Sequence, residues 1–126
     1  MKKQIVFLTG ASAGIGEATA KMLVDAGAVV YGASRRAAQA YQNQQSGGEF
    51  VPVQLDVNDE IQLGSAVQRI VEERGCLNVV VANAGNGLAG SVEDASSEEV
   101  KYQFETNFFG VVKTIQACLP VFRSQG

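Results

Sequence analysis

The sequence contains no histidine, and among its 126 residues there are only two cysteines and two prolines. Without histidine there is no His-based catalytic triad and no zinc centre of the hydrolase type. Cys76 and Cys118 stand far apart, with no CxxC pair and no ligand spacing, so both are expected to be reduced structural thiols and no metal site is expected. Positive charge is scarce too. Lys and Arg total 10 against 13 Asp and Glu, a net charge of -3 with no basic cluster, which excludes nucleic acid as a partner class. Long apolar runs are missing as well. Lys2-Lys3 followed by Ile5 to Leu8 has the look of a signal start, but the run meets Gly10 far short of a usable hydrophobic region, and no later run approaches membrane length. The expectation is a cytoplasmic chain with no membrane partner. What remains, 46% hydrophobic and 18% charged residues, is the composition of one ordinary globular domain with a real core.

The apolar segments alternate in kind. Gln4 to Thr9, Ala28 to Ala33, Phe50 to Leu55 and Leu77 to Ala82 read as strands, the last almost all branched aliphatic, as when both faces are covered. Pro52 has no N–H for a ladder and predicts a sheet edge for the third strand. Between them, Gly14 to Ala26 reads as a helix with Ala18, Met22, Ala26 and Leu23 on its buried stripe, closed by Gly27. Arg35 to Gln45 is polar and Ala/Gln-rich, a weakly amphipathic helix or a loop, broken by Ser46-Gly47-Gly48. Asp59 to Arg74 reads as a helix with Ile61, Ala66, Ile70 and Val71 inward and Glu72 and Glu73 outward, ended by Gly75. Ser96 with Glu99 three residues on has the form of a capping box. It opens a long helix to about Phe122, with a bend near Pro120. Strands alternating with helices predict an α/β fold with a parallel sheet and right-handed crossovers.

The most informative stretch is Leu8-Thr9-Gly10-Ala11-Ser12-Ala13-Gly14-Ile15-Gly16, between the first strand and the first helix. Strand, glycine-rich turn and helix in that order suit an anionic phosphate, because glycines let backbone N–H groups approach it and the helix N-terminus carries about half a positive charge. A turn that needs glycines only for its own geometry remains the alternative. About 20 residues past such a turn, the end of the second strand meets the adenosine ribose. An acid there would bind a free 2′-hydroxyl. Here the residues are Ala33-Ser34-Arg35-Arg36, two guanidinium groups suited to a 2′-phosphate, which predicts NADP(H) over NAD(H). The alternative is that both arginines are merely solvated at a helix start. The missing acid also argues against a methyltransferase, and Gly16 followed by Glu17-Ala18 lacks the Lys-Ser/Thr of a P-loop NTPase. Asp56-Val57 closes the third strand. Its carboxylate either accepts from an adenine amino group or caps the next helix, a role for which Asn58 and Asp59 compete. Asn83-Ala84-Gly85 closes the fourth, with Asn83 able to bridge strands and Gly85 and Gly87 letting a ring approach the backbone. Asn107 lies in an otherwise apolar helical stretch and, if buried, must find hydrogen-bond partners or cost roughly 1–3 kcal/mol. A plain helix–sheet hydrogen bond would suffice.

In this order and spacing, Thr9-Gly10-Ala11-Ser12-Ala13-Gly14-Ile15-Gly16, Asp56-Val57, Asn83-Ala84-Gly85 and Asn107 resemble the short-chain dehydrogenase/reductase family, from Lys3 to about Arg123. The resemblance implies a Rossmann-type, doubly wound parallel sheet of strand order 3-2-1-4 for the part present, with a nicotinamide dinucleotide across the carboxyl ends of the strands. It implies that Gly10, Gly14, Ile15 and Gly16 form the dinucleotide turn, and that Ser12 and Arg35, with Arg36 beside it, grip the 2′-phosphate. By the same resemblance Asp56 and Val57 hold the adenine, Asn83, Ala84 and Gly85 shape the strand-four wall, and Asn107 supports a water-mediated proton relay. The activity implied is NADP(H)-dependent hydride transfer between nicotinamide and a small-molecule alcohol or carbonyl substrate.

Such chemistry needs a general acid near the developing alkoxide. The family supplies it as Tyr-x-x-x-Lys on the fifth helix, with a Ser at the end of the fifth strand. Tyr31, Tyr41 and Tyr102 have no Lys four residues on, and Lys101 before Tyr102 is in the wrong order. The expectation is therefore the dinucleotide-binding half of a longer, truncated reductase, inactive alone. A non-catalytic dinucleotide-binding or regulatory module, and a half-domain completed by a partner chain, are the other readings. In a sheet of this extent the fourth strand is a flat apolar edge and Phe104, Phe108 and Val112 stay uncovered, which predicts self-association into a homo-oligomer.

Overall fold

A computed structural model describes residues 2–126. Its elements are β1 (Ile5–Thr9), α1 (Gly14–Asp25), β2 (Val29–Ser34), β3 (Tyr41–Gln42), β4 (Glu49–Gln54), α2 (Glu60–Arg74), β5 (Val79–Val81), α3 (Ser97–Phe104), a π-helical turn (Glu105–Phe109) and α4 (Gly110–Gln125). The sheet runs β3-β4-β2-β1-β5. β1 pairs in parallel with β2 and β5, and β2 with β4, which is the expected 3-2-1-4 order. The fold is α/β and Rossmann-like.

Alternation along β1 divides the core between the two faces of the sheet. Ile5 and Phe7 join Val29, Tyr31 and the α2 residues Leu63, Ala66, Val67 and Ile70, with Cys118 of α4. Val6 and Leu8 join Val30, Phe50 and the α1 residues Ala20 and Val24. Helices on both sides cover the central strands, so β1 is buried from end to end. At the start of the strands the buried Tyr31 ring carries its hydroxyl to Glu73 Oε2 at 2.5 Å and accepts from Arg74 Nε at 2.9 Å, while Arg74 pairs with Glu49 at 2.8 Å. Burial pushes the Tyr31 hydroxyl above its usual range, and the hydrogen bond it donates holds Glu73 below the carboxylate range.

Several expectations are corrected. The segment Arg35 to Gln45 takes the second of its two readings, with no helix. It is a loop ending in β3, which pairs antiparallel with β4 through Tyr41–Phe50 and Gln42–Glu49, so the sheet is mixed. β4 is therefore not outermost. β3 is too short to reach Pro52, whose missing donor lies on the stretch of edge left open. On α1 the buried stripe is Gly16, Ala20 and Val24, not Ala18, Met22 and Ala26; Met22 is 73% exposed. Beside the first turn the helix lies so close that only glycine fits, at Gly16. On α2 Ile61 is exposed, because it sits two residues, about 200°, from Leu63 on the packed face. The fourth predicted strand shrinks to Val79–Val81 and forms the open edge. The long last helix is interrupted by the π-turn, and α4 continues through Pro120 to Gln125. Among the described residues no helix is long and apolar enough to cross a membrane.

Candidate functional site

The carboxyl ends of β1, β2, β4 and β5 surround a cavity of about 580 Å³. Gly10, Ser12 and Ile15 of the first turn line one wall. Arg35 and Arg36 from the end of β2 line a second, Asp56 and Val57 from the end of β4 a third, and Asn83, Ala84 and Gly85 from the end of β5 a fourth. Residues separated by up to 75 positions thus meet around one space, as expected of a switch point where crossovers leave in opposite directions.

The first turn is built around glycine. Gly10 and Gly14 have φ of 69° and 55°, a region that side chains rarely adopt. Gly16 is buried, and a Cβ there would lie 1.8 Å from the Gly10 carbonyl oxygen. Gly14 and Gly16 do not line the cavity; they shape the turn that does. The end of α1 in this turn is bare, because Ala13 at the N-cap provides no side-chain acceptor. By contrast, Asp59 caps α2 through Ile61 and Gln62 N–H, and Ser96 caps α3 through Glu99 N–H. The free N–H groups and dipole of α1 thus point toward the cavity rim. A phosphate fits this cradle: the glycines leave it open and the helix end lacks an acceptor.

Asp56 does not cap α2. Its Oδ1 accepts from the Asn58 N–H at 2.9 Å, a local turn, and the residue stays on the cavity wall. Asn83 bridges strands as expected, donating from Nδ2 to the Gly10 carbonyl at 3.3 Å. The stronger tie was not read from the sequence. The Thr9 hydroxyl, 1% exposed, accepts from the Asn83 and Ala84 N–H groups, each at 3.0 Å. A small β-branched hydroxyl at the end of a buried strand was the available signal. Thr9→Val keeps the shape and orphans the Ala84 N–H, while the Asn83 N–H keeps the Val81 carbonyl at 3.1 Å. It should lower stability by about 2 kcal/mol while Thr9→Ser loses little, as read by urea denaturation.

Asn107 is exposed, as are the neighbouring Phe104, Phe108 and Phe109, so the apolar stretch around it is not a buried one. It does not line the cavity. Its side chain grips the backbone of Asn86 twice, accepting from the N–H at 2.8 Å and donating to the carbonyl at 2.6 Å. Gly85 makes room for it, since a Cβ there would come within 2.9 Å of Asn107 Oδ1. The π-turn sets this reach: the Gly110 N–H bonds back to the Glu105 carbonyl, the five-residue step of a π-turn. Lys113 spans the turn to Glu105 at 2.8 Å and also reaches the Asn58 carbonyl at 3.3 Å. The Glu105 carboxylate raises the Lys113 pKa.

Two further lining residues come from the last helical segment, Tyr102 and Thr106, one turn apart on one face. Tyr102 accepts a hydrogen bond from Arg35 Nη1 at 2.8 Å. The backbone of the arginine pair is held as well, by Gln54 Nε2 on the Arg35 carbonyl at 3.1 Å and by the Ser34 hydroxyl on the Arg36 carbonyl at 2.7 Å. Nothing in the local spacing points from Tyr102 to Arg35, 67 residues away.

Comparison with known proteins agrees with this geometry. A family model described as short chain dehydrogenase matches residues 4–126. A 3-ketodihydrosphingosine reductase of Bacteroides thetaiotaomicron is 42% identical over 123 residues, covering 98% of this chain and 44% of the reductase. The solved structure of a short-chain dehydrogenase from Streptomyces avermitilis superposes with a TM-score of 0.84 at 27% identity, covering 98% of this chain and 46% of its own. An NADH-dependent reductase, A1-R′, solved with NAD, gives 0.82 at 25% identity, covering 98% and 54%. The chain spans about half the length of the relatives it matches.

Proposed function

Because the chain belongs to the short-chain dehydrogenase family, we propose that it is the dinucleotide-binding half, residues 1–126, of an NADP(H)-dependent oxidoreductase. The observation that carries the cofactor choice is the end of β2, where Arg35 and Arg36 face the cavity and no acid takes the place of a ribose-binding carboxylate. A solved neighbour is NADH-dependent, so the family alone does not decide between the two cofactors. In this reading the turn from Gly10 through Ser12, Gly14, Ile15 and Gly16 holds the pyrophosphate, and Arg35 and Arg36 hold the 2′-phosphate. Asp56 and Val57 border the adenine, and Asn83, Ala84 and Gly85 form the wall beside the dinucleotide.

When bound, the nicotinamide supplies a hydride donor or acceptor at C4. The chain's own part is binding and orientation. Asn107 fixes the Asn86 backbone at the edge of the cavity, and in this reading it supports a proton relay. The substrate is a small-molecule alcohol or carbonyl compound, the class to which the name of the Bacteroides thetaiotaomicron reductase points. The general acid lies outside this span, because none of Tyr31, Tyr41 and Tyr102 is followed by a Lys four residues on. Titration calorimetry tests the cofactor assignment: the chain should bind NADP+ more tightly than NAD+, and equal affinities would refute it.

The open edge at β5 and the exposed Phe104, Phe108 and Val112 support self-association. Sedimentation at tens of micromolar (of the order where weak interfaces fill) should show dimers or larger species, and a monodisperse monomer would refute this.

A further inference from the structure

We infer that Tyr102 is a third member of the 2′-phosphate socket, donating its phenolic proton beside Arg35 and thereby selecting NADP(H); the inference rests on the NADP(H) reading above. Tyr102 lines the same cavity as the end of β2 and meets Arg35 there in a hydrogen bond of 2.8 Å. In that bond the phenolic oxygen accepts. Its own proton has no acceptor among the described residues, so an O–H donor stands unspent next to a guanidinium with four further N–H groups. A phosphoryl oxygen placed beside the pair, within reach of the phenolic proton and a remaining guanidinium N–H, would receive both a charge-assisted and a neutral donor. A ribose hydroxyl gains far less there, since it brings no charge for either group to meet.

The surroundings keep this pair in register. The Gln54 and Ser34 side chains hold the Arg35 and Arg36 carbonyls, so the arginine backbone cannot drift away from Tyr102. α3 buries none of its own residues, and Tyr102 is 47% exposed. The hydroxyl is therefore not spent on core packing, and removing it leaves the fold intact.

Calorimetry on four forms of the chain, wild type, Tyr102→Phe, Arg35→Ala and the double variant, tests the assignment with NADP+, NAD+ and 2′,5′-ADP as probes. Tyr102→Phe should weaken NADP+ and 2′,5′-ADP about tenfold and leave NAD+ within about twofold. It should weaken 2′,5′-ADP again in the Arg35→Ala background, because the phenol acts on the phosphate directly. Equal losses for NADP+ and NAD+, or no further loss in that background, would overturn the inference, the latter by making Tyr102 only a prop for Arg35. If wild type prefers NADP+ and Tyr102→Phe keeps the full preference, the inference fails while the functional reading stands. If wild type shows no preference, the reading fails and the inference falls with it.

Discussion

Replacing Gly16 by alanine is expected to cost about 3 kcal/mol of stability and to abolish dinucleotide binding. The added Cβ would sit 1.8 Å from the Gly10 carbonyl oxygen and 2.6 Å from Asn83 Nδ2. The first obstacle is backbone, which has no rotamer to yield. α1 must therefore move off the sheet, and the bare N-terminus it brings to the cavity moves with it. Gly64→Ala is the control. Gly64 also lies inside a helix, yet nothing stands within 4 Å of a Cβ there. That substitution should stabilise the protein by roughly 0.5–1 kcal/mol, the ordinary propensity gain. Opposite signs for one chemical change at two helical glycines, read by urea denaturation, would isolate the close approach at Gly16. A Gly16→Ala variant that folds and binds like wild type would mean that the turn tolerates a wider gap than its geometry allows.

The second large effect concerns charge. Arg35→Ala and Arg36→Ala should each weaken NADP(H) by roughly 2 kcal/mol, about 30-fold, and leave NAD(H) nearly unchanged. Both side chains face the cavity and both are exposed, so neither is needed for packing. The effect should shrink as salt is raised, because solvent-exposed charges are screened. Their contributions need not add, since both address one phosphate. Equal losses for the two dinucleotides would end the case for a 2′-phosphate socket.

The glycine turn, the strand order and the convergence of β1, β2, β4 and β5 on one cavity were legible in the sequence, because each rests on a local pattern of strong physical meaning. Gly10 and Gly14 are glycines because of their backbone angles, and the apolar runs are strands because burial on both faces demands it. Tertiary choices were not legible. Met22 lost the buried stripe to Gly16, Ala20 and Val24, since the approach of α1 to the first turn outweighs side-chain hydrophobicity. β3 was hidden because a two-residue strand has no periodicity to read. Its anchor is the Tyr41 ring stacked on Phe50 at 4.9 Å between centroids. The π-turn was invisible for a different reason: nothing in Glu105–Phe109 opposes an ordinary helix, and the extra residue answers to distant partners at Asn58 and Asn86.

Within the site the same division holds. Ten of the predicted residues line the cavity because they sit just past strand ends or in the turn leading into α1, where topology decides what meets. Asn107 was read as important for a reason that the structure changes. It is exposed rather than buried, and its amide holds the Asn86 backbone at the cavity edge, which is compatible with the relay or scaffolding role the resemblance implies. Thr9 and Tyr102 were missed because their ties to the site are long-range hydrogen bonds, two at Thr9 and one at Tyr102.

The most direct test of the account is a crystal of the chain grown with NADP+. The expected density places the pyrophosphate against the turn from Gly10 to Gly16 at the start of α1, and the 2′-phosphate within hydrogen-bond reach of Arg35 or Arg36. A dinucleotide bound elsewhere on the molecule, or a 2′-phosphate turned to solvent away from both arginines, would contradict it.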